Sequence, residues 1–139
     1  KKMQPEFILK SFEVIMKLLE KSGNYSEQQL NVVRCISYDT AFPLIDFNGD
    51  LVQFYGSNPS GHPLTVIINS LANALYMRYC YRILNPVHEC STFKKNVNLM
   101  TYGDDNIMNV SKHTSWFNHT SIANTLKEIG ITYTMAEKE

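Results

Sequence analysis

The chain changes character abruptly at residue 56, and that change limits the possible folds more than any other feature. Gly56-Ser57-Asn58-Pro59-Ser60-Gly61-His62-Pro63 holds two glycines and two prolines, which rules out regular structure there. From near Leu64 to Leu84 no helix breaker occurs, and Asn85-Pro86 then supplies a stop. The spacing predicts one helix of about 20 residues, entered from an irregular loop. Its apolar run from Val66 to Leu84 is interrupted by Asn69, Ser70, Asn73 and Arg78, which makes it a poor membrane span and a good long helix.

Upstream, Pro5 suits the first turn of a helix, where its missing N–H costs nothing. Phe7, Ile8, Phe12, Ile15, Met16 and Leu19 recur at helical spacing, and Gly23 ends the run. Ser26 and Gln29 form a capping box for a second helix, expected to carry Leu30, Val33 and Ile36 inward. Asn48-Gly49, between Leu44-Ile45-Asp46-Phe47 and the apolar-rich residues 50–55, signals a two-residue hairpin with positive φ at both loop positions.

Downstream, a loop is expected from His88 to Lys95. Val97–Thr101 and Ile107–Val110 read as strands joined through Tyr102-Gly103-Asp104-Asp105-Asn106. Trp116 and Phe117 are expected to anchor a helix over Ser121–Ile129 that Gly130 closes, and Ile131–Met135 reads as a last strand. The order helix, helix, hairpin, loop, helix, hairpin, helix, strand implies an α+β layer, a small antiparallel sheet with helices packed on one face.

Composition narrows what such a layer is for. With 139 residues, 44% hydrophobic and 19% charged, the chain has ordinary globular make-up and fits one domain. Its formal net charge is zero, which argues against a free-standing nucleic-acid-binding module. The argument is weaker against an active-site segment, because a metal-dependent centre collects carboxylates while basic grooves lie elsewhere. Cys35, Cys80 and Cys90 are odd in number and lack C-x-x-C spacing, so they indicate neither a disulfide framework nor a zinc site. They read as filler in or near the core, in a reducing compartment. His62 belongs to the loop before the long helix, and His88, His113 and His119 read as surface. No signal peptide or starting Met precedes Lys1, and both ends are expected to be cuts, leaving residues 1–139 as one partial domain.

Two clusters carry candidate chemistry. Asp104 and Asp105 stand at the tip of the second hairpin, and an arbitrary Asp pair there is most often a solvated turn. Here apolar strands close in on both sides and Gly103 permits a tight backbone, so the tip can hold oxygen ligands rigidly for a hard cation such as Mg²⁺. Two such ions can clamp the attacking and leaving oxygens of an in-line phosphoryl displacement. Two aspartates are too few for two ions, so at least one more carboxylate must come from elsewhere. The second cluster is Ser60, Gly61, Thr65 and Asn69. Thr65, Asn69 and Asn73 share one helical face, and Ser60 can curl over its start. A Ser-capped helix with polar packing residues explains that pattern by itself. The functional alternative is recognition of a ribose 2′-OH, which both donates and accepts hydrogen bonds, with Gly61 lending the loop freedom to move.

At these residues the chain resembles the RNA-dependent RNA polymerases of picorna-like positive-strand RNA viruses. Ser60-Gly61-x3-Thr65-x3-Asn69 resembles their motif B, Tyr102-Gly103-Asp104-Asp105 their motif C, and residues 130–138 their motif D. The wording of residues 56–65 is most similar to marine, marnavirus-like members. The resemblance covers nearly the whole chain. It implies a polymerase palm with some fingers-linked helices, running from just after motif A through motif D. The implied activity is RNA-directed nucleotidyl transfer from NTPs to an RNA 3′ end, with two Mg²⁺ (or Mn²⁺) ions. In that reading Asp104 ligates the metals and Asp105 is a secondary ligand. Ser60 and Asn69, supported by Thr65, recognise the nucleotide ribose, and Gly61 hinges the loop. Lys138 protonates the pyrophosphate leaving group, a task suited to a lysine whose pKa falls toward neutral. The implied partners are template RNA, primer or nascent RNA, NTPs and other viral replication proteins. The implied location is the host cell cytoplasm, at membrane-associated replication complexes.

One departure matters. The family's motif A aspartate pair is missing, since Asp39, Asp46 and Asp50 lie too close to motif B. Residues 1–5 resemble the continuation that follows motif A, so the other carboxylates are expected upstream of Lys1 and the chain alone is expected not to polymerise. Two other readings stay open on sequence. A reverse transcriptase palm shares the paired-aspartate hairpin, although Ser60, Thr65 and Asn69 favour ribonucleotides. A non-catalytic scaffold domain with an acidic turn is the alternative of a different class.

Overall fold

The breaker-free segment forms α3 (Thr65–Leu84), and it contributes to both hydrophobic clusters of the molecule. The computed structural model describes residues 3–58, 60–87 and 89–134. On one side of α3 lie α1 (Pro5–Ser22) and α2 (Glu27–Ala41). Pro5 occupies the first turn of α1, and Gly23, at φ 70°, closes it by donating its N–H to the Glu20 carbonyl. The capping box of α2 forms as expected: the Gln29 N–H reaches Ser26 Oγ at 3.3 Å and the Ser26 N–H reaches Gln29 Oε1 at 2.9 Å.

Ile8 and Phe12 of α1, Ala41 of α2 and Ile68 of α3 make the smaller core, with Val33 packed at its edge. Ile36 does not join it and is exposed. The buried face of α2 runs through Ser37, Thr40 and Ala41, small residues that allow close approach to α1. Ile36 sits one residue, about 100°, off the Ser37 direction.

The larger core gathers around the middle and C-terminal turns of α3. Ala72, Tyr76, Met77, Cys80 and Tyr81 pack with Phe93, Val97, Phe117, Ile122 and Leu126. Tyr81 is its aromatic node, with ring centroids 5.3 Å from Phe93, 5.5 Å from Phe117 and 5.0 Å from Trp116. Its buried hydroxyl is satisfied by Asn96 Nδ2 at 2.9 Å and Thr92 Oγ1 at 3.0 Å. Trp116 and Phe117 thus anchor α5 (His119–Glu128) as expected. The helix begins two residues earlier than Ser121, because Asn118 and Ser121 form a reciprocal capping box. Cys80 is buried, and burial pushes its thiol up to about 12. Cys35 and Cys90 are exposed, so the filler reading holds for only one of the three.

The strands form two separate antiparallel pairs, β1 (Leu44–Phe47) with β2 (Asp50–Gln53), and β3 (Val97–Tyr102) with β4 (Asp105–Val110). This is the expected α+β arrangement of small antiparallel sheet and helices, with the sheet in two pieces. Two expectations need correction. The supposed loop before β3 contains a 3-10 turn (Cys90–Thr92) and a short helix, α4 (Phe93–Asn96), whose Phe93 is 1% exposed. A single apolar residue among polar ones carries no periodicity to announce it. Residues 131–134 are not a strand, and Met135 lies outside the described residues. The Ile131 N–H bonds the Leu126 carbonyl at 2.9 Å and the Gly130 N–H bonds the Lys127 carbonyl at 3.0 Å. These bonds close the end of α5 as a Schellman motif, so the Ile131 amide is not available to a sheet. Among the described residues no helix is long and apolar enough to cross a membrane.

Candidate active site

The β3–β4 hairpin is two residue pairs longer than the expected strands, adding Thr101 with Asn106 and Tyr102 with Asp105. Tyr102 pairs with Asp105, which leaves Gly103 and Asp104 as a two-residue loop. Gly103 takes φ 60°, as the first loop position of a type II′ turn requires. Alternation along the strands puts Leu99, Asn106, Met108 and Val110 on the half-buried inner side toward α3, and Met100, Tyr102, Asp105 and Ile107 on the exposed outer side. The carboxylates of Asp104 and Asp105 therefore stand on an exposed tip with an anchored base.

The anchor comes from α3. Asn73 is buried, and its Nδ2 donates to the carbonyls of Asp104 (2.9 Å), Asp105 (3.1 Å) and, at the limit of bonding, Gly103 (3.5 Å). Its Oδ1 accepts from Asn106 Nδ2 at 2.9 Å, and Asn106 Oδ1 accepts from the Tyr133 hydroxyl at 2.9 Å. One turn earlier on the helix, Ser70 Oγ accepts the Gly103 N–H at 2.8 Å and donates to the Val66 carbonyl at 2.7 Å. The backbone of the turn is thus held by two α3 side chains, and Asp104 and Asp105 are exposed at its tip. Burial lifts the Tyr133 phenol above its ordinary range.

The loop before α3 is fixed by a residue the sequence reading passed over. Asn58 Nδ2 donates to Asn69 Oδ1 at 3.0 Å and to the Thr65 carbonyl at 3.3 Å, lacing residue 58 to the first turns of the helix. Asn58 Oδ1 is buried with no hydrogen-bond partner. Ser60 and Gly61 are exposed, Gly61 at φ 87° with open space around it. His62 caps the loop: its Nδ1 accepts the Leu64 N–H at 3.2 Å and its carbonyl accepts the Thr65 N–H at 2.9 Å. Asn69 precedes Asn73 by one helical turn, about 5.4 Å along the axis, so the loop cluster and the aspartate tip both attach to the N-terminal half of α3. Ser60, Gly61, Thr65 and Asn69 are gathered there on a continuous stretch of chain. Lys138 lies outside the described residues. His119, expected at the surface, is half-buried and stacks on Tyr133 with ring centroids 5.0 Å apart; His113 is exposed.

Exposed carboxylate oxygens are hard donors, the chemistry that Mg²⁺ or Mn²⁺ prefers. Asp104 and Asp105 fit such an ion in type, but among the described residues no third His, Cys, Asp or Glu joins them in a group that could hold one. The tip offers two carboxylate donors of that type.

Comparison with known proteins agrees with this geometry. The profile of the viral RNA-dependent RNA polymerase family matches residues 2–139. The replicase polyprotein of Cricket paralysis virus is 34% identical over 119 residues, 80% of this chain and 7% of that protein. The RNA1 polyprotein of Grapevine chrome mosaic virus is 34% identical over 133 residues, 91% of this chain and 6% of that protein. The replicase polyprotein of Drosophila C virus is 39% identical over 94 residues, 63% of this chain and 5% of that protein. The chain therefore spans less than a tenth of the length of these curated relatives. With a profile match over nearly its full length, the chain belongs to the viral RNA-dependent RNA polymerase family.

Proposed function

We propose that the chain is the palm portion, from just after motif A through motif D, of an enzyme that extends RNA by RNA-directed nucleotidyl transfer during viral genome replication. The observation that carries this reading is the aspartate tip clamped to α3 beside the Ser60–Asn69 segment. In the reaction the 3′ hydroxyl of the growing RNA attacks the α-phosphorus of an NTP, and pyrophosphate leaves. Asp104, with Asp105 as secondary ligand, would hold divalent cations together with further carboxylates contributed from outside this chain. Once bound, two such ions stabilise charge on the attacking and leaving oxygens.

The chain's own residues do the positioning. Asn69 and Ser60 offer an amide and a hydroxyl to the ribose 2′-OH, Thr65 supports them, and Gly61 lets the loop move as template and nucleotide pass. The present bond from Asn58 to Asn69 Oδ1 leaves the Asn69 amide N–H groups for a ligand oxygen. Lys138 donates the proton that neutralises departing pyrophosphate. The partners are template RNA, primer or nascent RNA, NTPs and other viral replication proteins, and the setting is the host cell cytoplasm at membrane-associated replication complexes. The wording of residues 56–65 supports a marine, marnavirus-like member of the picorna-like group.

The test is Asp104→Ala in the complete polymerase, assayed for single-nucleotide incorporation on a primed RNA template. The expected loss is at least roughly a hundredfold, the scale of removing a group that stabilises transition-state charge. Wild-type incorporation by that variant contradicts the proposal.

A further inference from the structure

We infer that Tyr133 is a positioning residue for the aspartate turn, acting through Asn106 and Asn73. The inference rests on the palm reading above and gives a role to Tyr133, which lies within the motif D segment but has been assigned none there.

The turn carbonyls fix the orientation of the Asn73 amide. Oxygens of Asp104 and Asp105 lie 2.9 and 3.1 Å from one Asn73 side-chain atom, so that atom must be the amide nitrogen. The opposite orientation would set oxygen against carbonyl oxygens in a buried place. Asn73 Oδ1 then faces away from the turn and needs a donor, which Asn106 Nδ2 supplies at 2.9 Å. That in turn fixes the Asn106 amide, whose Oδ1 is left to accept from the Tyr133 hydroxyl at 2.9 Å. The direction of every bond is thus set by the backbone of the catalytic turn and propagates outward to one phenol.

Tyr133 is well placed to hold the far end. Its ring packs against the larger core and stacks on His119 at 28° between planes. It follows directly on the motif that closes α5, and Lys138 comes five residues later in the sequence. The relay therefore ties the start of the segment carrying the proposed proton donor to the turn carrying the proposed metal ligands. Loss of the phenol hydroxyl leaves Asn106 Oδ1 without its donor and frees the Asn106 amide to rotate, which loosens the Asn73 grip on the turn.

The complete polymerase tests this with Tyr133→Phe, Asn106→Ala, the double variant and Asp104→Ala, each normalised to active sites. We expect Tyr133→Phe to lower kcat for single-nucleotide incorporation roughly fivefold, the effect of one lost modest hydrogen bond, with the NTP KM within about twofold. The concentration of Mg²⁺ giving half-maximal rate rises with it. The double variant falls no further than Asn106→Ala alone, because the two residues act in one relay. An unchanged kcat and Mg²⁺ requirement in Tyr133→Phe overturns the inference, even if its Tm falls, and so do multiplicative effects in the double variant. Tyr133→Phe keeps the ring and its stack, so it decides the matter even if Asn106→Ala fails to fold. Full activity in Asp104→Ala sinks the palm reading itself. A dead Asp104→Ala beside a wild-type Tyr133→Phe sinks only the relay.

Discussion

The β1–β2 hairpin turns on Asn48-Gly49 and shows solvent on both faces, whereas β3–β4 turns on Gly103-Asp104 and lays one face on α3. Both are short, antiparallel and closed by two residues. Both loops carry an Asp nearby, and Asp46 of the first binds the Gly49 N–H at 2.8 Å, an ordinary turn contact. In the second, the turn's backbone is instead bonded by Asn73 and Ser70 from a buried helix. The comparison teaches that an acidic turn becomes a candidate catalytic element when side chains from elsewhere take over its backbone. The backbone of such a turn is fixed from outside it, which sets where its exposed carboxylates stand.

The largest effect concerns the core beneath the second hairpin. The Cys80 thiol ionises near 9.0 when free and is pushed up to about 12 by burial, so the unfolded chain loses this proton before the folded one does. Stability is complete below pH 9 and falls as pH rises toward 12, by on the order of 4 kcal/mol at the upper end. Alkylation of Cys80 is expected to stay slow until that window, while exposed Cys35 and Cys90 react throughout. Fast labelling of Cys80 at pH 8 contradicts the packing.

Asn73→Ala comes next, at about 3 kcal/mol in urea denaturation, because it orphans the Asp104 and Asp105 carbonyls and the Asn106 amide together. A loss under 1 kcal/mol, on the same scale, means that the turn holds itself. Ser70→Ala removes the acceptor of the Gly103 N–H together with the exposed bond to the Val66 carbonyl, and is expected to cost about 1 kcal/mol. Gly49→Ala and Gly103→Ala should each cost about 1–2 kcal/mol, since both need positive φ and neither Cβ meets a neighbour. A much larger cost at Gly103 alone would place the distinction between the hairpins in turn strain instead of in the helix. The smallest effect is Leu51→Ser on the first hairpin, where the side chain is 72% exposed and the change stays within about 0.5 kcal/mol.

Much of this architecture could be read from sequence because it rests on local chemistry. The Ser26–Gln29 cap, the Asn48-Gly49 turn, the Gly23 stop and the breaker-free α3 are each decided within a few residues. The Asp104–Asp105 tip and the Ser60–Asn69 cluster were legible for the same reason, as short patterns with a chemical meaning. Asn73 was visible only as the third member of a helical stripe. Its partners lie about 30 residues further on, and only the packing of α3 against the hairpin brings them within reach. The partners of Asn58 and Tyr133 are equally silent in sequence, because a single polar side chain outside regular structure announces no partner. Residues 131–134 misled for a different reason. Ile131 and Tyr133 alternate as a strand would, yet Gly130 turns the chain into a helix-closing motif that uses the Ile131 amide. The role of Lys138 rests on the family resemblance alone.

The competence of the aspartate turn is proposed to depend on α3 through Asn73. The most direct test is single-nucleotide incorporation by the complete polymerase carrying Asn73→Ala, at saturating NTP and Mg²⁺. The account predicts a kcat at least about tenfold below wild type, with the NTP KM within about twofold, as expected when an interaction that matters in the transition state is lost. A wild-type kcat in a folded Asn73→Ala enzyme would contradict it.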